Sequence, residues 1–165
     1  CSAPEMDRVT RYMPWDRHGT PRETAAFLDE IETKWDEEAA ATYVVRPKPS
    51  EDGAGEIAGA TALTCDWDRR AGKLGLWLRE RFWGRGYSGE RALALAELAF
   101  DTLDLELLEV THHADNENSE RAIEKYVEAM GGRREGLLRG YRAQGDGAVD
   151  AVRYTVTREE YRESV

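Results

Sequence analysis

The sequence predicts an α+β fold built on one mixed, mostly antiparallel sheet with helices packed against it. Three observations carry this. Candidate strands at 42–46, 56–65 and 73–80 follow one another with only turn residues between them, the pattern of an antiparallel meander. A leucine-dense strand at 105–111 is joined to the third of these by a helix, so those two run parallel. Two last strands, 133–144 and 149–157, flank Gly145-Asp146-Gly147 and close as a hairpin.

Taken in order, residues 1–20 read as loop, with Pro14 and Gly19 as punctuation. Thr20 suits an N-cap, Pro21 the first helical position, and Glu23 completes a capping box. The helix that follows, to about residue 39, places Ala26, Phe27, Ile31 and Trp35 on one face, expected to be buried. Asp29, Glu30, Glu32, Asp36, Glu37 and Glu38 form an acidic, solvated face. The run 47–55 is a turn cluster between the first two strands, and 66–72 turns into the third. The helix from about Gly89 to Leu103 carries Ala92, Leu95, Ala96, Ala99 and Leu103 as a stripe of mostly small residues suited to close packing on a sheet. A second such helix, 119–130, turns Ala122, Ile123, Tyr126 and Val127 inward and ends at Gly131-Gly132.

A chain of 165 residues fits one domain with a proper core, here 1–165. Its net charge of −10 argues against nucleic acid as a partner, because phosphate backbones demand basic surface. No segment has the length and apolarity of a membrane span. Two cysteines, Cys1 and Cys65, make no disulfide framework, which leads us to expect a cytoplasmic protein. His112-His113 lacks further ligands at metal spacing, so no metal is expected.

The chemistry concentrates in 73–104, a strand, a glycine-rich turn (81–88) and a helix. Glycines at 84, 86 and 89 let the backbone approach a ligand closely, and the helix that follows aims its free N–H groups and positive dipole end at the same place. That is an anion site, most naturally for a pyrophosphate. Gly84-x-Gly86-x-x-Gly89 also satisfies the dinucleotide fingerprint, with Glu106 or Glu109 as the ribose acid. Repeated parallel βαβ units, which that fold requires, are missing. Arg79, Arg81, Arg85 and Arg91 cluster around the turn in an otherwise acidic chain.

In the other frame, Arg81-x-x-Gly84-x-Gly86, the run Gly75-Leu-Trp-Leu to Phe82-Trp-Gly-Arg-Gly-Tyr-Ser and Glu90 resembles motif A of the GNAT N-acetyltransferases. A second block, Asn116-Glu-Asn-Ser119 with Glu124-Lys125 and Glu135-Gly136, resembles the branch of ribosomal-protein N-terminal (alanine) acetyltransferases. Together the likeness runs from about Arg11 to Tyr161. It implies a GNAT-like sheet with a splayed parallel strand pair and flanking helices. The family's first strand and helix are largely absent from this sequence, so upstream residues are expected to be missing.

The resemblance further implies transfer of acetyl from acetyl-CoA, as co-substrate, to a primary amine by direct attack in a ternary complex. The amine would belong to a protein N-terminus or a small molecule. Backbone groups of Trp83, Gly84, Arg85, Gly86, Tyr87 and Ser88 would hold the pyrophosphate, with Arg81 adding charge. Leu76, Trp77 and Leu78 would pair with the pantetheine arm, and one N–H would polarise the thioester. Asn116 and Ser119 would meet the coenzyme as well. The family's usual tyrosine falls on Ile123, which leaves Ser119 as the acid for the departing thiolate, unless it merely caps its helix. Tyr126 is expected in the core. No single general base is identified: His112 and His113 are candidates, with Glu80, Glu90 and Asp115 as further possibilities, and an α-amine, with a reference pKa of about 7.7–8.0, needs little help. Tyr12 and Trp15 lie where the family walls the acceptor pocket. Homodimers are common in that branch, though nothing in the sequence marks an interface. The competing reading is a degenerate member that binds acyl-CoA as sensor or scaffold without turnover.

Overall fold

The computed structural model describes residues 6–144 and 146–164; Cys1 and Gly145, named above, lie outside them. Strands β1 (Ala40–Val45), β2 (Gly59–Asp66), β3 (Ala71–Leu78), β4 (Leu107–His113), β5 (Arg133–Gln144) and β6 (Gly147–Thr157) form one sheet in the order β1-β2-β3-β4-β6-β5. Every neighbouring pair is antiparallel except β3–β4. Helices α3 (Tyr87–Glu97) and α4 (Glu117–Ala129) pack on one face over a core that includes Leu74, Leu95, Phe100, Leu108, Ile123 and Tyr154. A smaller core of Ala58, Leu78, Phe82 and Tyr87 sits beneath the glycine turn.

The β3–β4 pairing decides the architecture. It covers only Ala71↔Leu107 to Leu74↔Val110. Beyond that point β3 continues on β2 and β4 on β6, so their facing edges diverge. The result is a wedge-shaped opening at the end of the strands where the turn lies.

Several expectations are corrected. Residues 6–10 are a short helix, α1 (Met6–Thr10), because Met6 and Val9 find buried sites. Helix α2 (Pro21–Asp36) starts as expected, with Thr20 Oγ1 accepting from Glu23 N–H and the Glu23 carboxylate accepting from Gly19 N–H. Its apolar face is not buried: Phe27 is 42% and Trp35 53% exposed. Trp35 instead meets Tyr43 of β1 edge-on. Strand β2 starts at Gly59, which leaves Glu56 in the preceding loop. Helix α3 begins two residues early and widens into a π-helical turn over Leu98–Thr102, where Leu103 N–H bonds Leu98 C=O at 3.0 Å. A last helix, α5 (Arg158–Ser164), stands Tyr161 against Phe100. No described helix is long and apolar enough to cross a membrane.

Candidate active site

The turn between β3 and α3 is built from backbone. Gly84 (φ +73°) and Gly86 (φ +88°) take left-handed conformations, and a Cβ on either would meet nothing within 4 Å. The space above them is open. Gly86 is the N-cap of α3 and has no side chain with which to satisfy the helix end. The N–H groups of Gly84, Arg85, Gly86, Tyr87 and Ser88 therefore make no hydrogen bond among the described residues. Five unpaired donors at a helix N-terminus suit a diphosphate. Trp83 is different: its N–H is spent on Glu80 C=O at 3.0 Å and its indole Nε1–H on Leu78 C=O at 2.8 Å. Tyr87 is buried against Phe82, so it offers its N–H while its ring anchors the helix.

The turn's arginines are not free. Arg85 pairs with Asp52 at 3.1 Å, Arg81 with Glu56 at 2.9 Å and Asp52 at 3.6 Å, and Arg79 with Glu56 at 3.2 Å. These carboxylates come from the β1–β2 loop, which folds over the turn and also ties Lys48 to Glu90 at 2.6 Å. The two arginines hold the Asp52 carboxyl below its usual range. Arg91 lies deeper, one amino group on Tyr126 Oη at 3.3 Å, and burial pushes its pKa down. Tyr126 is core, as expected.

Backbone polarity in the wedge follows from strand alternation. Arg79 N–H bonds Ala58 C=O at 2.8 Å, so Trp77 and Gly75 also face β2 while Leu76 and Leu78 face the opening. The expectation that all three residues 76–78 offer backbone groups is thereby narrowed. The Trp77 backbone is turned toward Ala60, and the Leu78 carbonyl belongs to Trp83. What remains is Leu76 N–H and C=O together with Leu78 N–H. On β4, Ala114 N–H bonds Asp150 C=O at 3.0 Å, which by the same alternation turns Thr111 and His113 toward the opening.

The adjacent histidines point to opposite faces. His112 is 4% exposed, on the α4 face beside the Tyr154 ring. Its Nδ1 lies 2.8 Å from His113 C=O, and a carbonyl can only accept, so Nδ1 carries the proton. Nε2 is then a bare, buried nitrogen with no hydrogen-bond partner among the described residues, and burial lowers the ring's pKa. His113 is on the other face, 5.0 Å from the Tyr12 ring. Its Nδ1 accepts from Asp115 N–H at 3.1 Å, which places the proton of the neutral ring on Nε2. His112, the expected base, thus lies on the opposite sheet face from Tyr12.

Asn116, not Ser119, caps α4: its Oδ1 accepts from Ser119 N–H at 3.2 Å. The Ser119 hydroxyl is free of that duty and half-buried. Ile123 is buried and brings no hydroxyl. The segment after α1 spans the open end of the wedge. Trp15 meets Trp77 at 6.1 Å, near edge-on, Tyr12 meets His113, and Arg8 pairs with Glu80. Tyr12 and Trp15 therefore wall the face opposite α3 and α4. Sequence reasoning missed Asp52 and Glu56 at the turn, and Arg142, whose guanidinium donates to Thr111 C=O at 3.0 Å. Their contacts join distant parts of the chain, a loop for the two acids and an irregular stretch of β5 for Arg142.

The chain matches the model of the acetyltransferase (GNAT) domain over residues 2–126. A provisionally named acetyltransferase of T. thermophilus is 28% identical, with a TM-score of 0.75 over 95% of this chain and 78% of that one. Microcin C7 self-immunity acetyltransferase MccE, solved with acetyl-CoA and AMP, superposes with a TM-score of 0.81 at 17% identity, over 93% of this chain and 81% of that one. A ribosomal L7/L12 α-N-protein acetyltransferase, RimL, gives 0.76 at 17% identity, over 92% and 79%. Among curated proteins no sequence match reaches significance.

Proposed function

The chain belongs to the GNAT acetyltransferases, and from that premise we propose that it acetylates a primary amine, in a protein N-terminus or a small molecule, by direct attack within a ternary complex with acetyl-CoA. The observation that carries this reading is the junction of the wedge and the turn. Leu76 and Leu78 present unpaired backbone groups along one edge, and five unpaired N–H groups close its outer end. One long ligand with a diphosphate at one end and amide groups along its arm satisfies both. Likeness to RimL at low identity, together with the Asn116-x-x-Ser119 block, favours an α-amine.

Acetyl-CoA supplies an activated acyl group and a thiolate leaving group. The protein's part is to hold, orient and polarise. Gly84 to Ser88 take the diphosphate. Leu78 N–H, beside the turn, takes the arm, and Leu76 N–H, the unpaired donor further from the turn along β3, polarises the acyl carbonyl. Tyr12, Trp15 and Trp77 present the amine from the opposite face, where water is displaced by aromatic rings. Ser119 Oγ–H donates to the departing sulfur. No side-chain base is assigned, since His112 faces the other way and His113 offers an N–H; the amine's proton leaves to solvent.

A second reading has one observation behind it. Ile123 stands where the family's tyrosine would be, and the buried Tyr126 is bonded to Arg91, as suits a sensor that binds acyl-CoA without turnover. Calorimetric titration of acetyl-CoA, then a thiol-release screen across amines and N-terminal peptides, separates the two. Binding with amine-dependent release is expected. Tight binding without release would favour the sensor, and no binding would overturn the turn assignment.

A further inference from the structure

The face that Tyr12 and Trp15 wall has a charge pattern opposite to that of the whole chain. Register extends Leu74↔Val110 to put Gly75 beside Thr111 and Trp77 toward His113, with Lys73 beside Glu109. All six lie on the face away from α3 and α4, since Leu74 and Val110 are core. Gly75 makes an open floor; a Cβ there would touch only Ala62, at 3.9 Å. Trp77 with Trp15, and His113 with Tyr12, stand at the upper end of that floor.

The buried carboxylate on this face is already claimed. Glu109 is held by Arg69 at 2.7 Å and Arg153 at 3.2 Å. Asp66 shares Arg69 with it at 3.6 Å, Glu135 accepts from the Thr155 hydroxyl, and Asp115, near His113, has its side chain 83% exposed. Two further cations have no acidic partner among the described residues. Lys73 lays its ammonium 5.3 Å from the Tyr141 ring centre. Arg142 reaches from β5 to the β3-facing side of β4, where it donates only to Thr111 C=O and the Thr111 hydroxyl. It is half-buried, and its desolvation disfavours the charged form. A guanidinium held partly out of water by neutral oxygens still has donors for a planar anion. In a chain of net charge −10, this is a local excess of positive charge where the acceptor enters.

We propose that Arg142, supported by Lys73, is the specificity determinant for the acceptor, and that the acceptor is a primary amine carrying a carboxylate. This rests on the acetyltransferase reading above. The guanidinium takes the carboxylate over the Gly75 floor, and the amine lies toward Trp77 and the acyl carbon. The same two cations repel polyamines.

The test is steady-state thiol release with matched acceptors, leucine against leucinamide and a Ser-Glu against a Ser-Gln N-terminal peptide, with spermidine as the cationic arm. Carboxylated acceptors should show the higher kcat/KM within each pair, through KM, and spermidine should be poorest. Arg142→Gln should lower kcat/KM for the carboxylated member by about 10- to 100-fold, the range of one hydrogen-bonded charge pair, and leave the amide within about threefold. Arg142→Lys should recover part of the preference. If Arg142 only braces Thr111, both members will fall together through kcat, and the proposal is wrong. Amides or spermidine preferred over carboxylates would also overturn it while leaving the enzyme reading intact. Release with no amine at all would remove both.

Discussion

Replacing Gly86 by glutamate tests the phosphate turn most directly. Gly86 sits at φ +88° and ψ −10°, the left-handed region, where a side chain costs about 1–2 kcal/mol. For a domain of this size that lowers Tm by about 2–8 °C. No atom lies within 4 Å of the added Cβ, so no clash compounds the cost and the fold should survive. The binding effect is larger. A carboxylate placed about 4 Å from a phosphate meets about 4 kcal/mol of repulsion at an effective dielectric of about 20, close to a 1000-fold loss of affinity. Calorimetry with acetyl-CoA beside a thermal melt reads both numbers. Gly140→Ala is the matched control: it has φ +60°, lies on β5 away from the turn, and would meet only Ala148 Cβ at 3.9 Å. It should show a similar fall in Tm with unchanged affinity. If Gly86→Glu binds like the parent, the anion site is elsewhere. If Gly140→Ala loses affinity equally, the loss reports general destabilisation.

Three further outcomes follow from single contacts. Ser119→Ala should lower kcat by about 10- to 100-fold, the scale of general-acid effects, with acetyl-CoA affinity kept; single-turnover kinetics beside calorimetry would expose an unchanged rate. Asp52→Asn removes the carboxylate charge paired with Arg85, while Arg81 stays on Glu56, and should tighten acetyl-CoA a few-fold at most, since exposed pairs are weak; weaker binding would mean that Asp52 positions Arg85 rather than competing for it. Burial holds the folded-state pKa of His112 down, so the unfolded chain takes up a proton first. That contribution to stability is whole above about pH 6.5 and is lost as pH falls below it. The Tm of the parent should decline in that window, and a His112→Leu variant should lack this component; identical profiles would exclude it.

How much of this was legible in the sequence depends on the range of the cause. The turn was legible because its chemistry is local: two glycines at positive φ and a helix start soon after Leu78 need no distant partner to be recognised. Chain order gave the meander and the parallel pair for the same reason. Periodicity placed an apolar stripe on α2, yet it could not tell whether anything covers Phe27 and Trp35, and among the described residues nothing does so fully. Alternation alone puts His112 and His113 on opposite faces. Which of them shares a face with Tyr12 depends on a contact between distant parts of the chain. Arg81 and Arg85 looked available because their partners, Asp52 and Glu56, lie 25 or more positions away. Arg142 was hidden by the irregular register between Leu138 and Arg142 on β5, which alternation cannot anticipate.

The wedge itself has a cause outside the two strands that form it. Four residues of parallel pairing are few beside the eight that join β3 to β2 and the seven that join β4 to β6. Each strand follows its antiparallel neighbour as the sheet twists, and the parallel seam is where the divergence falls. Closing it would join Leu76 to Thr111, but the Leu78 carbonyl is already bonded to the Trp83 indole and the Thr111 carbonyl to Arg142. Trp15 on Trp77 and Tyr12 on His113 brace the two ends from the other face. An unpaired backbone group out of water is costly, so a seam left open with Leu76 unsatisfied persists only where a ligand or water completes it. The opening is therefore held by side chains that cap carbonyls on both of its edges, and the donors left over are those a ligand's amide groups would use.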